Sequence, residues 1–442
     1  MSAPTAQPHL RRSLKLWDLV FYGIILIQPT APMPLFGIVY NKAGGHVATT
    51  ILLALVAMAF TALSYGRMAR AYPSAGSAYT YVGKELHPAL GYLTGWSMLL
   101  DYVLNPVICT IWCSKSMLQV TAALPYAFWL CFFATLFTGL NLRRIRATAR
   151  TNEALAVIML AVVAAFFAMT VRRLAGAPVN WLQPLYDPAT FSAGGVLRGA
   201  SLAVLTYIGF DGISTLSEEV ENPRRNVLVG TVLACGIIGL LSALEVYAGQ
   251  LVWPPGCQFR DPDTAFVEVA GAAGGLWLMH LVNLTLLVAT IGSGTGALTG
   301  ASRLLYGMGR DNAIPKKIFG YVSPATGVPC YNVLLLGAIV LAGAFVLTYE
   351  LGAELLNFGA FVAFMGVNAA VVAHYWIRRR NRTWSYLVCP ALGCLTCLLI
   401  WLNLGAVAKA AGAVWLGAGI LYGGWKTKGF QEELVRFDIP ED

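Results

Sequence analysis

Charge is scarce in this chain. Only 12% of its 442 residues are Asp, Glu, Lys or Arg, while 57% are hydrophobic. A soluble protein of this length carries about twice that charged fraction. The shortage excludes a water-soluble globule, and repeated apolar runs of about 20 residues leave a polytopic helical membrane protein. Metal spacings are missing too. The nine cysteines form no CxxCxxC or Cys/His cluster, only a lone CxxC at Cys394 and Cys397. Most of them lie inside apolar runs (Cys109, Cys113, Cys131, Cys235, Cys389, Cys394, Cys397), so buried free thiols and no metal or cofactor are expected. The five histidines (His9, His46, His87, His280, His374) are isolated, mostly at span ends or in loops. No HExxH, GxSxG or phosphate loop supports a membrane enzyme, and no repeated pore loop or acidic ring supports a channel. The stretch Met1–Leu14 is polar and the apolar run after it is too long for a cleavable signal, so the first span is expected to stay as an anchor.

What the chain does have is twelve apolar spans, near 17–40, 46–68, 89–120, 122–140, 152–172, 194–217, 227–253, 271–300, 331–348, 353–377, 384–405 and 408–425. The third is long enough to suggest that its end near Lys115 runs into a short outer loop. Most of the 30 Lys and Arg fall in alternate loops, from Arg11, Arg12 and Lys15 through Arg143–Arg150 and Arg378–Arg382 to Lys426, Lys428 and Arg436. Lys42, Lys115, Arg172, Arg173, Arg198, Arg260 and Lys409 lie on the other side or at span ends. That bias predicts a multi-pass plasma-membrane protein with both termini cytoplasmic. It also accounts for the net charge of +9 without a nucleic-acid partner. No large soluble domain is expected, only a tail at 1–16 and another at 426–442.

Two spans are broken in their middles. The first is interrupted by Gln28-Pro29-Thr30-Ala31-Pro32-Met33-Pro34, with apolar sequence on both sides. Pro29, Pro32 and Pro34 have no N–H, so the carbonyls of Ile25, Gln28 and Thr30 lose their helical partners. In a bilayer such groups persist only where they face a cavity, water or ligand. Free carbonyls at the end of the first half-helix suit an ammonium group. A second half-helix starting near Pro32 or Pro34 offers the positive end of its dipole. The sixth span is interrupted by Tyr207-Ile208-Gly209-Phe210-Asp211-Gly212-Ile213-Ser214. Its carboxylate at mid-span is costly unless it meets a cavity or partner. Asp211 either contacts substrate or caps the following half-helix near Ile213 and Ser214, and the two roles are compatible. Tyr207 and Phe210 are expected to form an aromatic wall for a cation. Paired breaks in two halves point to the binding site of a carrier built from inverted repeats. The expected substrate contacts are Gln28, Thr30, Ala31, Met33, Tyr207, Phe210 and Asp211. The charged segment Ser217–Asn226 reads as a gate or loop anchor, paired with the Arg143–Arg150 cluster or simply solvated.

At these residues the chain resembles the amino acid–polyamine–organocation transporters. Gly209-Phe210-Asp211-Gly212-Ile213-Ser214-Thr215-Leu216-Ser217-Glu218-Glu219 looks like that family's sixth-helix signature. Leu63-Ser64-Tyr65-Gly66, Ala75–Tyr81, Gly95–Tyr102, Ser302–Asn312, Phe319–Val322 and Leu356–Phe364 narrow the likeness to its bacterial putrescine-importer branch. The resemblance covers nearly the whole chain. It implies an all-α, LeuT-type fold with two inverted five-helix repeats (about 17–172 and 194–377) forming a core over 17–377. Two additional helices follow over 384–425, making twelve in all with the first and sixth discontinuous. It further implies proton-coupled import of a small amine by alternating access, and it places Tyr102 at an aromatic position used for substrate. One departure stands out. The importer branch carries an aspartate in the first break where this chain has Pro34. The break also has no glycine between Gly23 and Gly37, so the N–H-rich stretch that holds an amino acid's carboxylate is absent too. What remains favours an amine over a carboxylate, with an amino acid permease as the alternative.

For coupling, the fifth span has no Lys between Ala154 and Val171 to stand in for a bound sodium ion. Ser293, Thr295 and Thr299 offer hydroxyls for sodium, or else pack helices closely together with Gly292, Gly294 and Gly296. The titratable candidates for proton carriage or gating are Asp101, Glu218, Glu219 and Glu245. A proton is therefore expected in preference to sodium, and oligomeric state is left open.

Overall fold

The computed structural model describes residues 14–72, 77–121, 123–143, 149–217, 219–253, 256–310, 314–324 and 326–429. Among these residues the protein is helical, apart from one parallel bridge between Leu14 and Val220. The helices are α1 (Leu16–Ile27), α2 (Phe36–Lys42), α3 (Val47–Ala71), α4 (Ser77–Glu85), α5 (Pro88–Val120), α6 (Tyr126–Leu142), α7 (Ala149–Leu174) and α8 (Ala193–Ala203). They continue with α9 (Pro223–Val252), α10 (Ala265–Gly274), α11 (Leu276–Arg310), α12 (Lys316–Phe319), α13 (Cys330–Val346), α14 (Tyr349–Val371), α15 (Ser385–Leu402) and α16 (Ala406–Lys426). Nine helical segments among the described residues are long and apolar enough to cross a membrane, and three shorter ones, α1, α6 and α13, are equally apolar.

Local chemistry sets the ends. Pro88 and Pro223 occupy first turns, where a missing N–H costs nothing. The Ser192 hydroxyl caps α8 by accepting the Gly195 N–H at 3.2 Å, and Thr348 caps α14 through the Leu351 N–H at 3.2 Å. The expected loop near Lys115 does not form, because α5 continues unbroken to Val120. At 1.5 Å per residue that makes a rod of about 50 Å. The eighth span is a helix that starts at Leu276, with the separate α10 before it, rather than one run from 271.

Two arrangements matter for the site. First, α1 and α9 run side by side in the same direction. A Cβ on Gly23 would lie 2.6 Å from Ala234 Cβ, and one on Gly230 would lie 3.1 Å from Leu19 Cβ. Second, α5 and α14 approach until a Cβ on Gly359 would strike the Ser97 carbonyl at 2.3 Å. Of the three glycines expected to pack α11 closely, only Gly294 does so, against Cys109 and Phe137; Gly292 and Gly296 meet nothing within 4 Å. All nine cysteines are free, but Cys131 and Cys257 are exposed, because they lie on outward faces.

Ionic clusters close both ends of the bundle. At one end Lys42 pairs with Glu350 at 2.7 Å and Glu354 at 2.5 Å, and Lys115 pairs with Asp263 at 2.6 Å and Asp261 at 3.1 Å. They tie α2 to α14 and α5 to the loop before α10. At the opposite end Glu85 takes hydrogen bonds from Tyr72 and His374, and its second oxygen lies 3.2 Å from Arg378. His374 is therefore not isolated, as the sequence suggests, but shares a buried carboxylate. Burial raises the Glu85 carboxyl, yet its hydrogen bonds from His374 and Tyr72 and the nearby charge of Arg378 outweigh that and hold it below its ordinary 4.5. Its contribution is thus full at neutral pH and is lost as pH falls through that lowered value. Replacing Glu85 by Ala strands His374 and Tyr72 and is expected to cost about 3 kcal/mol, read as a drop in melting temperature of the purified protein. An unchanged melting temperature would show that this link holds nothing together.

Candidate functional site

The two breaks meet. α1 stops at Ile27, and Gln28 takes a left-handed backbone (φ 71°) that no helix continues through. The Ala31 N–H turns back to the Gln28 carbonyl at 3.2 Å and the Met33 N–H to the Thr30 carbonyl at 3.1 Å. Two of the three carbonyls expected to be orphaned are therefore satisfied by tight turns. The Ile25 carbonyl, whose partner would be Pro29, is the one left without a helical donor. The chain resumes as a 3-10 turn, Met33–Leu35, before α2, so the second half begins one turn tighter than an α-helix.

In the sixth span α8 gives way to a 3-10 turn over Val204–Tyr207, Ile208 is extended, and Gly209 sits at φ 118°. A second 3-10 stretch, Phe210–Leu216, carries Asp211. Gly209 lies directly on the end of α1: a Cβ there would be 3.2 Å from the Leu26 carbonyl carbon and oxygen. Only glycine suits both that dihedral and that contact. Gly212 and Ile213 continue the interface against Leu26 and Gly23.

Asp211 is partly open and lies against the backbone N–H groups of Gly209, Asp211 and Gly212. The turn is closed by its backbone, the Gly212 N–H donating to the Gly209 carbonyl at 3.0 Å. The Ser214 hydroxyl instead donates to the Asp211 carbonyl at 2.7 Å and meets Ser77 Oγ at 2.9 Å. Asp211 is within electrostatic range of Asp101 and of Tyr22, Tyr65 and Tyr102. Asp101 and Tyr102 come from α5, five and four residues before Pro106, whose missing N–H frees the Tyr102 carbonyl at the same level. Tyr102 packs on α11 at Gly300. The result is two carboxylates among three phenol rings at the junction of two broken helices. Such a setting stabilises a cation through charge, hydroxyl oxygens and ring faces together.

The other expected contacts divide. Gln28 and Ala31 keep open surface, and the Gln28 amide donates to the Ala289 carbonyl at 3.4 Å. Thr30 is buried with its hydroxyl on Met159 Sδ at 3.4 Å, and Met33 is buried in the core. The Tyr207 ring is fully buried and its hydroxyl is bound to the Ile51 carbonyl at 2.8 Å, so it packs the break from behind. Phe210 is also fully buried, edge-on to Tyr65 at 5.4 Å and beside Phe364 at 5.4 Å. Tyr65 is as fully buried as Tyr207 and Phe210, whereas Tyr22 and Tyr102 keep some open surface. The missed residue with the clearest signal is Tyr65. A tyrosine in mid-span must find its hydroxyl a partner, and this buried hydroxyl has none among the described residues.

Among the coupling candidates, Glu219 lies within range of Tyr22. Its backbone carbonyl takes the Leu14 N–H at 3.1 Å, while the Glu221 N–H donates to the Leu14 carbonyl at 2.8 Å. This charged segment therefore holds Leu14, just before α1, through its backbone. Glu218 and Arg144–Arg150 lie outside the described residues or have undescribed side chains. Glu245 is buried in α9. The hydroxyl protons of Thr295 and Thr299 are taken by the Ile291 and Thr295 carbonyls and by Asn141.

Comparison with known proteins agrees with this architecture. The amino acid permease family model matches residues 21–411. The low-affinity putrescine importer PlaP of Escherichia coli K12 is 35% identical over 98% of each chain. The branched-chain amino acid permease BcaP of Bacillus subtilis is 28% identical, over 95% of this chain and 94% of the relative. The methylthioribose transporter of the same organism is 26% identical over similar shares. A multi-pass membrane protein with this match is a transporter in class, and the chain belongs to the amino acid permease family within the amino acid–polyamine–organocation transporters.

Proposed function

We propose that this protein is a secondary importer of a small amine, a putrescine-like diamine or related amino compound, driven by the proton gradient and working by alternating access. One observation carries the reading. Asp101 and Asp211 lie within electrostatic range of each other, among tyrosines, where two broken helices meet. Two carboxylates that feel each other's charge repel, and an ammonium group between them offsets that repulsion. The E. coli relative, a putrescine importer by name, supports the same class of cargo.

In this reading Asp211, Asp101, Tyr102, Gln28 and Ala31 line the site, with Tyr22 added. Thr30, Met33, Tyr65, Tyr207 and Phe210 hold its shape from behind. Glu218, Glu219 and Asp101 are the groups to test for proton carriage or gating. The core is two inverted repeats over about 17–172 and 194–377, followed by two helices over 384–425, in the plasma membrane with both termini in the cytoplasm. The basic bias of alternate loops supports that orientation. The second reading is an amino acid permease of the same fold, favoured by the match to BcaP.

A thermal-shift screen separates the two. Ligands that bind only the folded protein raise its melting temperature by mass action. Putrescine and related amines are expected to raise it, and leucine, isoleucine and valine are not. The reverse pattern would overturn the amine assignment in favour of the permease.

A further inference from the structure

We infer that the cleft between α6, α11 and α13 holds the phosphate headgroup of an anionic membrane lipid, with Arg303 as its cationic anchor. Such a site is independent of what the protein carries.

The cleft is built on one face of α11. Thr299, Ser302, Arg303 and Tyr306 line it at spacings of three and four residues, which a helix stacks in one stripe. That stripe leaves out Gly300, the residue that packs on Tyr102 beside the substrate site. Asn141 at the end of α6 and Val333 in the first turn of α13 form the other walls, and the segment 322–329 closes one side. The cavity measures about 370 Å³, within the range of small-molecule sites. Hydrogen bonds fix its walls. The Thr299 hydroxyl donates to Asn141 Oδ1 at 2.6 Å. The Asn332 amide donates to the Ser302 carbonyl at 3.2 Å and the Phe319 carbonyl at 2.9 Å, which ties the segment before α13 onto α11.

Charge selects the ligand. Arg303 is the only charged side chain lining the cleft among the described residues, and no carboxylate faces it there. It makes no ion pair or hydrogen bond among those residues, and neither does the Tyr306 hydroxyl. The hydroxyl protons of Thr299 and Ser302 are already given to Asn141 and to backbone carbonyls. The free donors are therefore a guanidinium and a phenol. A guanidinium presents parallel N–H groups that match two oxygens of a phosphate, and the phenol adds another donor.

Depth selects the source of that phosphate. α11 runs antiparallel to α5, with Ser116 donating to Asn283 at 2.7 Å near one end and Gly300 on Tyr102 further along. Arg303 thus lies towards the end of the bundle that holds Glu85. The 35 residues of α11 span about 50 Å against a hydrocarbon core of about 30 Å, leaving about 10 Å outside at each end. Arg303 stands seven residues before the end of α11, so it meets the boundary between headgroups and acyl chains. Lys316 and Lys317 are exposed on α12, which packs on Gly309 at the same rim. Leu334 and Leu335 follow Val333 on α13 and face outward, an apolar track for acyl chains leading inward from the cleft. A basic pocket between membrane helices at headgroup level suits an anionic lipid, and a free phosphate makes no use of the track.

The test is native mass spectrometry of the delipidated full-length protein with phosphatidylglycerol, phosphatidylcholine or inorganic phosphate. Wild type should bind phosphatidylglycerol about tenfold or more tightly than phosphatidylcholine, as a charge-assisted contact gives. Arg303→Gln should lose most of that preference, and Arg303→Lys should keep part of it. Tyr306→Phe should reduce it by roughly threefold, and Lys317→Gln, outside the cleft, by less than about twofold. Melting temperatures without lipid confirm that each variant folds. An intact preference in Arg303→Gln would overturn the assignment. Equal losses in Arg303→Gln and Lys317→Gln would overturn it too, since they mean diffuse attraction to a basic rim. Displacement of the lipid by millimolar inorganic phosphate would make this a free-anion site and contradict the lipid assignment.

Discussion

Replacing Asp211 by Asn is expected to abolish amine uptake while leaving the protein folded. The carboxamide keeps the shape of the side chain, and the turn beneath it is held by its own backbone, the Gly212 N–H donating to the Gly209 carbonyl at 3.0 Å. The turn and its packing on α1 should therefore survive. What is lost is the negative charge facing Asp101 and the tyrosines. A charge-assisted hydrogen bond contributes about 1.5–3 kcal/mol, so affinity should fall by roughly 10- to 100-fold from that bond alone. Initial rates of labelled amine uptake against protein amount measure this directly, with melting temperature as the control for folding. Wild-type rates in Asp211→Asn would show that the residue is only a cap.

Replacing Gly209 by Ala should be nearly as damaging, for a different reason. The residue sits at φ 118°, and an added Cβ would press on the Leu26 carbonyl at 3.2 Å. Holding a side chain in such a backbone costs about 1–3 kcal/mol. The chain can escape that cost only by separating the two breaks. The expected outcome is uptake reduced by roughly tenfold or more, together with a lower melting temperature. Gly236→Ala on α9 is the matched control. Nothing lies within 4 Å of a Cβ there, and the change should be neutral or slightly stabilising through helix propensity. A Gly209→Ala protein that transports normally would mean that the contact between the breaks is incidental.

Much of this was legible in the residues themselves. Hydrophobic runs located most of the helical spans to within a few residues, the eighth running ten residues past its expected end to Arg310, because in lipid the apolar length and the closed backbone ladder are set by the same constraint. The breaks were legible for a related reason: three prolines and a Gly-Asp-Gly run cannot sit in an intact transmembrane helix. The composition of the site was harder to read. Tyr22 lies in an otherwise regular helix, so nothing local marks it, and only packing brings it towards Asp211. Tyr207 and Phe210 were conspicuous by position next to Asp211, yet helical geometry turns both into the core. The partner of Ser214 and the shared carboxylate of His374 both depend on contacts between segments distant in sequence. Turn chemistry was the remaining gap, since the Gln28 and Thr30 carbonyls found donors one residue closer than a helix would use.

Accumulation of labelled butane-1,4-diamine in proteoliposomes, with and without an imposed proton gradient, tests the central claim most directly. The account predicts concentrative uptake that requires a gradient acid outside, is competed by unlabelled diamine, and is absent in Asp211→Asn. Equal, non-concentrative entry with and without the gradient, or no entry of any amine while branched-chain amino acids accumulate, would contradict it.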